Sequence, residues 1–440
     1  MVERGPRGKG MGMIKWFLGM GYWVQGFRCF PWLGVAFFLK DGLQIDPSTL
    51  QILLHSSNIP MVGKPLYGVV SDSVYFYGQH RLPYISLGAI LQILAWLAVA
   101  IYYSSSISII TITFYLLLSN LGASIAEVAN DAMVAEISKQ QTHLKKEQSS
   151  SSGELQSFVW MATSVGGVLG NLVGGVAIVK FSPQFMFLTY GVILIIQLLI
   201  TITVKERSLN LPKKQSGGGI KEQLAQLASA LCKPEIAYSI GWIVVSYAMI
   251  PVLTGTMFYY QTEALNMDSS VLGISKVFGQ VGMLLWSFVY NKSLKSTSPR
   301  KVICGIQATV AVFMVSDALF VNKFYQQMGL PDSVYVVVFS GLLEVLFFFK
   351  ILPFSVLIAQ LCPPGCEGSL MAFVMSAIAL AMIVGGYFGV VLASYVGVTG
   401  TNFSGLPVGL LIQAAFTITP LLLSSWIPDH IKADIVKKKE

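Results

Sequence analysis

The chain has 440 residues, a formal charge of +8 and a mean hydropathy of +0.67. With 54% hydrophobic and only 11% charged residues, it cannot clothe a water-facing surface, for which roughly a quarter charged residues is usual. The apolar excess runs from end to end in stretches too long and continuous for barrel strands, and only helices or closed barrels satisfy their backbone in lipid. The predicted class is therefore an all-α polytopic membrane protein.

A membrane-spanning helix needs about 20 apolar residues. In chain order the predicted spans are 16–39 (span 1), 49–71 (span 2), 83–103 (span 3), 108–136 (span 4), 154–179 (span 5) and 185–204 (span 6). A polar stretch at 205–235 follows, with Ser216–Gly217–Gly218–Gly219 at its middle, and its composition predicts a flexible linker. The second set lies at 236–260 (span 7), 270–290 (span 8), 301–321 (span 9), 333–361 (span 10), 368–395 (span 11) and 405–427 (span 12). The domains expected are a first half at 1–204, a cytoplasmic linker at 205–235 and a second half at 236–440.

Cytoplasmic loops are enriched in Lys and Arg. The N-terminus (Arg4, Arg7, Lys9, Lys15), the loop with Arg81, the loop with Lys145 and Lys146, the linker, the loop after span 8 (Lys292, Arg300, Lys301) and the C-terminus (Lys437 to Lys439) form the basic set. Against them stand Lys40, Lys180 and Lys323. Both termini are expected in the cytoplasm. The positive charge then reports topology and not nucleic-acid binding, and the basic clusters suit anionic lipid. The start of the chain lacks the long Ser- and Arg-rich stretch of a plastid transit peptide.

The scattered histidines (His55, His80, His143, His430) give no nucleophile–base or metal constellation, so neither an enzyme nor a cofactor is expected. Cys362 and Cys366 flank a Pro-Pro-Gly turn without further ligands, and no metal is expected there. A non-transporting receptor or scaffold is the rival reading, but it usually adds a sizeable soluble domain, and the loops here are short. A monomeric small-solute transporter fits better, its partners being the bilayer, the solute and a candidate coupling proton.

The two halves read as repeats. Tyr67–Gly68–Val69–Val70–Ser71–Asp72 followed by Gln79–His80–Arg81 has a counterpart in Tyr290–Asn291–Lys292 followed by Ser298–Pro299–Arg300. Spans 5 and 11 carry glycine ladders, Gly166/Gly170/Gly174 and Gly385/Gly386/Gly389, the kind of spacing that lets helix backbones approach closely. Parallel six-span repeats are the architecture of the major facilitator fold. The Gly68-x-x-x-Asp72 and Gly78-x-x-Arg81 junction resembles that superfamily's signature between spans 2 and 3. What this resemblance implies is an inward gate in which Asp72 and Arg81 meet Glu136 at the end of span 4, with Gly68 beside them.

Three stretches are more specific. Phe37–Phe38–Leu39–Lys40–Asp41, Lys64–Pro65–Leu66–Tyr67–Gly68 and Leu361–Cys362–Pro363–Pro364–Gly365, with the acidic residues Glu127, Asp131 and Glu136 of span 4, resemble the folate–biopterin transporter family over nearly the whole chain. The resemblance implies carriage of folates or pterins by alternating access. The alternative is a facilitator for another small organic solute. Arg28 stands one turn before the span-1 position where the family carries an Arg, occupied here by Trp32.

Charge at the bilayer centre costs at least ~2.5–3.5 kcal/mol per residue, so ionisable groups inside spans are usually paired or functional. Arg28, Lys64, Glu127, Asp131, Lys276, Asp317, Glu344 and Lys350 lie in predicted spans. Arg28, Glu127 and the Glu344/Lys350 pair are expected at central depth on spans 1, 4 and 10, and Tyr247 on span 7, where the facilitator fold places its cavity. Arg28, Lys64 or Lys350 are candidates for solute carboxylates. Glu127 or Asp131 are candidates for ring donors or a coupling proton, with a purely structural salt-bridge role as the competing reading of each. Lys276 and Asp317 share an outer depth on spans 8 and 9 and are expected to form a structural ion pair.

Overall fold

A computed structural model describes residues 6–76, 79–104, 107–144, 151–204, 220–294, 297–362 and 367–429. Among them nine helices are long and apolar enough to cross a membrane, corresponding to spans 3–6 and 8–12. Spans 1, 2 and 7 are built from two or more helices in series. Span 1 is Pro6–Phe27 followed by Cys29–Phe37. Span 2 is Pro47–Ser56, Ile59–Val62 and Lys64–Ser73, and span 7 is Pro234–Ala248 and Thr254–Tyr259. Proline explains the last two, because it supplies no N–H to the helical ladder. Pro60 and Pro65 open the second and third pieces of span 2, and Pro251 lies in the gap of span 7. Elsewhere Pro83, Pro183, Pro234, Pro299 and Pro407 stand in the first turn of a helix, where a missing N–H costs nothing.

The chain divides into two compact units, Met1–Phe38 with Ser57–Glu222, and Leu39–Ser56 with Gln223–Glu440. In the first, span 3 lies against spans 4 and 6, and span 1 against span 5. Leu18, Met133 and Val159 meet in its core with Ile85. The second pairs span 9 with 12, span 8 with 10 and span 7 with 11, around a core that includes Trp242, Phe354 and Val374.

A broken helix inside a bilayer must satisfy the backbone groups it frees. In the first unit Asn120 Nδ2 donates to Ser57 O at 2.7 Å, where span 2 opens. In the second, Gln51 closes the gap of span 7: its Nε2 donates to Val252 O at 2.6 Å and to Gly386 O at 2.7 Å, and its Oε1 accepts from Gly255 N at 2.8 Å. One buried amide thus stands in for the missing helical ladder.

The C-terminal ends of spans 1 and 7 reveal a repeat that the sequence comparison above does not contain. Each ends in a π-helical turn, Phe38–Gly42 and Tyr260–Ala264. Each then passes through a left-handed residue, Gln44 at φ 54° and Asn266 at φ 48°. Ile45 N donates to Leu39 O at 3.1 Å, and Met267 N to Gln261 O at 2.9 Å. Asp46 and Asp268 then precede the next helices, Pro47–Ser56 and Ser269–Val289.

The region expected as a flexible linker contains a helix, Ile220–Leu231. Ile220, Leu224, Leu227 and Leu231 recur at helical spacing, and Leu227 and Leu231 pack against the core of the second unit. The Ser-Gly-Gly-Gly stretch and the rest of 205–219 lie outside the described residues, as do residues 363–366 of the Cys362–Cys366 turn, Lys145 and Lys146, and the C-terminal lysines.

Candidate functional site

Span 1 passes close to span 5 because glycine lets it. A Cβ on Gly26 would sit 1.9 Å from Thr163 O, and one on Gly166 would sit 2.2 Å from Trp23 O. That contact fixes the rotation of span 1, and Tyr22 and Arg28 then meet span 4. Glu127 and Asp131 are one turn apart on the Ile109–Leu144 helix, and residues so spaced share a helix face. Lys64 begins the last piece of span 2, directly after the break at Gly63.

The side chains converge in the first unit. Arg28 Nη1 lies 2.9 Å from Glu127 Oε1, and Lys64 Nζ lies 2.7 Å from Glu127 Oε2. Glu127 is buried, while the two cations keep 22% and 24% of their side-chain surface accessible. Tyr22 OH donates to Asp131 Oδ1 at 2.5 Å. Asp131 is itself exposed, and no cation pairs with it among the described residues. Gln25, on the same helix as Tyr22, holds a buried Oε1 without a hydrogen-bond partner. The expected residues Arg28, Lys64, Glu127 and Asp131 are thus brought together. Tyr22 completes the group and was not singled out from the sequence.

The span 2–3 junction forms a second constellation in this unit. Arg81 is 2% exposed. Its Nη2 lies 2.6 Å from Asp72 Oδ1 and 2.5 Å from Glu136 Oε1, and its Nη1 donates to Ser71 Oγ at 2.8 Å. Ser71 Oγ in turn donates to Gly68 O at 3.0 Å. Burial works against the charge on Arg81, but the carboxylates of Glu136 and Asp72 outweigh it and hold the guanidinium above its ordinary range. The residues that the superfamily signature implies as a gate therefore share one hydrogen-bonded group.

The second unit departs from expectation in one pairing. The expected Lys276–Asp317 ion pair is corrected: Asp317 is buried and accepts from Tyr335 OH at 3.1 Å, while Lys276 Nζ lies 2.7 Å from Glu344 Oε1 on a partly exposed surface. Glu344 and Lys350 are six residues apart, so they leave the helix on different faces. Depth along a span is readable from sequence, but the facing direction that decides a partner is not.

Lys350 is 1% exposed. Its Nζ donates to Ser246 O at 2.9 Å and to Gln307 Oε1 at 2.8 Å, and it sits 3.8 Å from the centroid of the Tyr247 ring. Tyr247 OH donates to Phe347 O at 2.5 Å. Among the described residues no carboxylate pairs with this lysine. A separate crevice of about 570 Å³ beside the gap of span 7, lined by Met249, Pro251, Phe388 and Val391 among others, contains none of the candidate residues.

These observations define a multi-pass helical membrane protein with buried charge clusters, and its fold is that of the major facilitator superfamily. The chain is similar to the solved structure of a D-xylose–proton symporter, with a TM-score of 0.69 at 14% identity over 95% of this chain and 98% of that one. It is also similar to the nucleoside transporter NupG, with a TM-score of 0.70 at 14% identity over 94% and 98%. Residues 25–440 match the BT1 family, and the chain belongs to that family. It is 60% identical over 427 residues to a probable folate-biopterin transporter 7 of Arabidopsis thaliana, covering 97% of this chain and 96% of that one. To the folate-biopterin transporter of Synechocystis it is 28% identical over 408 residues, covering 92% and 80%.

Proposed function

We propose that this chain is a secondary transporter that carries folate- or pterin-type solutes by alternating access, with the Arg28–Lys64–Glu127–Asp131 cluster as its binding centre. The carrying observation is that two partly accessible cations and two carboxylates, drawn from spans 1, 2 and 4, meet within one unit. Such a set matches an anionic solute that also bears ring donors. Family membership and the names of the relatives support the solute class. In this reading the chain works as a monomer with both termini cytoplasmic, and Gly68, Asp72, Arg81 and Glu136 form a gate.

Uptake of radiolabelled folates, pterins and unrelated metabolites into vesicles holding the purified chain tests the assignment. Saturable uptake of only an unrelated solute would overturn it. Arg28 makes one side-chain bond among the described residues, which leaves the other edge of its fork for a ligand. Lysine has no such fork. A hydrogen bond to a charged group is worth ~1.5–3 kcal/mol, so Arg28→Lys is expected to lower uptake by about tenfold or more. Uptake within twofold of wild type would return Arg28 to a structural ion pair.

Lys350, with Tyr247 beside it, is the candidate coupling group of the second unit. Lys350→Met would leave Ser246 O and Gln307 Oε1 without their donor, and a buried acceptor left unsatisfied costs about 1–3 kcal/mol. Lys350→Met is therefore expected to melt lower than wild type in detergent, and uptake per folded molecule is expected to fall as well. A lower melting point with normal uptake per folded molecule would make Lys350 a structural residue.

A further inference from the structure

Glu127 is bonded as if it were a ligand. Its two oxygens are each taken by a different cation, Oε1 by Arg28 and Oε2 by Lys64. The two cations come from separate helical pieces, and each stays partly accessible although the carboxylate between them is buried. A carboxylate from outside the protein presents the same two oxygens at the same spacing, so it competes directly for this position. Asp131 differs, with Tyr22 as its hydrogen-bond partner.

Resting on the proposed transport of folate- or pterin-type solutes, we infer that Glu127 is a stand-in for the cargo's own carboxylate, displaced when one proton and one solute carboxylate enter together. The exchange balances. A proton from water forms an O–H bond on Glu127, which loses its charge and with it the charge-assisted hold on Arg28 and Lys64. The solute carboxylate takes over both bonds. On release the O–H bond breaks, the proton leaves with the solute, and Glu127 reclaims the two cations.

Electrostatics selects this pairing. The empty cluster holds two cations, Arg28 and Lys64, and two anions, Glu127 and Asp131, and is neutral. Adding a carboxylate alone leaves it with one uncompensated negative charge inside a span, which the bilayer disfavours. Adding the carboxylate with a proton on Glu127 restores neutrality, and for a solute with two carboxylates this count covers only the one that takes the place of Glu127. The other titratable groups around Glu127 are Tyr22 from span 1 and Tyr190 from span 6, and both are neutral when protonated. The substrate class follows: the cargo that drives the exchange bears a carboxylate, and a pterin without one cannot take the place of Glu127.

The test is proton uptake on binding, using the full purified chain in weakly buffered detergent. Pteroylglutamate is expected to bind with uptake of about one proton per ligand, as linkage between a ligand and a titrating group requires, and biopterin with none. In Glu127→Gln, pteroylglutamate is expected to bind with no proton uptake. In vesicles that variant should lose accumulation driven by a pH gradient while exchange of labelled for unlabelled solute persists. Should Glu127→Gln fail to fold, Glu127→Asp keeps the charge but is too short to span both cations. It is expected to retain proton uptake and to bind pteroylglutamate more tightly at neutral pH. Pteroylglutamate binding to wild type without proton uptake, undiminished pH-driven accumulation in Glu127→Gln, or weaker binding by Glu127→Asp overturns the stand-in and leaves the transport assignment intact. Failure of wild type to bind any folate or pterin at any pH overturns the transport assignment and the stand-in with it.

Discussion

Arg81→Ala should lower the stability of the detergent-solubilised protein by about 3–5 kcal/mol, the usual cost of removing one partner from a buried ion pair. The guanidinium is 2% exposed and pairs with both Asp72 and Glu136, which are only 26% and 17% exposed. Without it two like charges face each other with little water to screen them. The triple variant Arg81→Ala, Asp72→Asn, Glu136→Gln removes the repulsion and should recover much of the loss. Chemical denaturation or thermal melting of the single and triple variants decides the matter. A single-variant loss below about 1 kcal/mol would be the behaviour of a solvated surface pair. Asp72→Asn leaves Arg81 with Glu136, so it should cost less stability but impair transport more than expression, as a gate that stabilises one of two states requires.

What could be read from the chain before its structure follows from how strongly each feature is constrained. Spans were legible because lipid tolerates little else, and the Asp72–Arg81–Glu136 group because its spacing belongs to a recognisable junction. Arg28, Lys64 and Glu127 were found because charge is expensive inside a span. Tyr22 was not, since tyrosine at a span carries no such penalty and the chain has 18 of them. Its partner Asp131 was the available signal, as a carboxylate there calls for donors. The Ile220–Leu231 helix was hidden by reading 205–235 for composition, when the three- and four-residue spacing of Ile220, Leu224, Leu227 and Leu231 held the answer. Pairing in the second unit was out of reach for a different reason. Lys276, Asp317, Glu344 and Lys350 could be ranked by depth, but a partner is chosen by rotation about the helix axis, which packing determines.

Glycine identity sets that rotation in the first unit, and it carries the other large effect. Gly166→Leu is expected to abolish recovery of folded protein. Even a methyl group at Gly166 would sit 2.2 Å from Trp23 O and 3.0 Å from Phe27 N, and both are backbone atoms of span 1 that no rotamer change can move. Spans 1 and 5 would have to separate along their length, carrying Arg28 away from Glu127. Overpacking a core ordinarily costs ~1–3 kcal/mol because side chains yield, and a contact between two backbones has no such relief. Gly305 in span 9 is the control. A Cβ there meets nothing within 4 Å, and alanine is favoured over glycine inside a helix by roughly 0.5–1 kcal/mol. Gly305→Ala should therefore match or exceed wild type in melting point. The two sites differ in contact although both hold glycine, so size-exclusion profiles and melting curves of Gly166→Ala and Gly305→Ala compared side by side isolate the backbone approach. If Gly166→Leu were recovered as folded, monodisperse protein with a wild-type melting point, the close passage of spans 1 and 5 would not be what orients Arg28 toward Glu127.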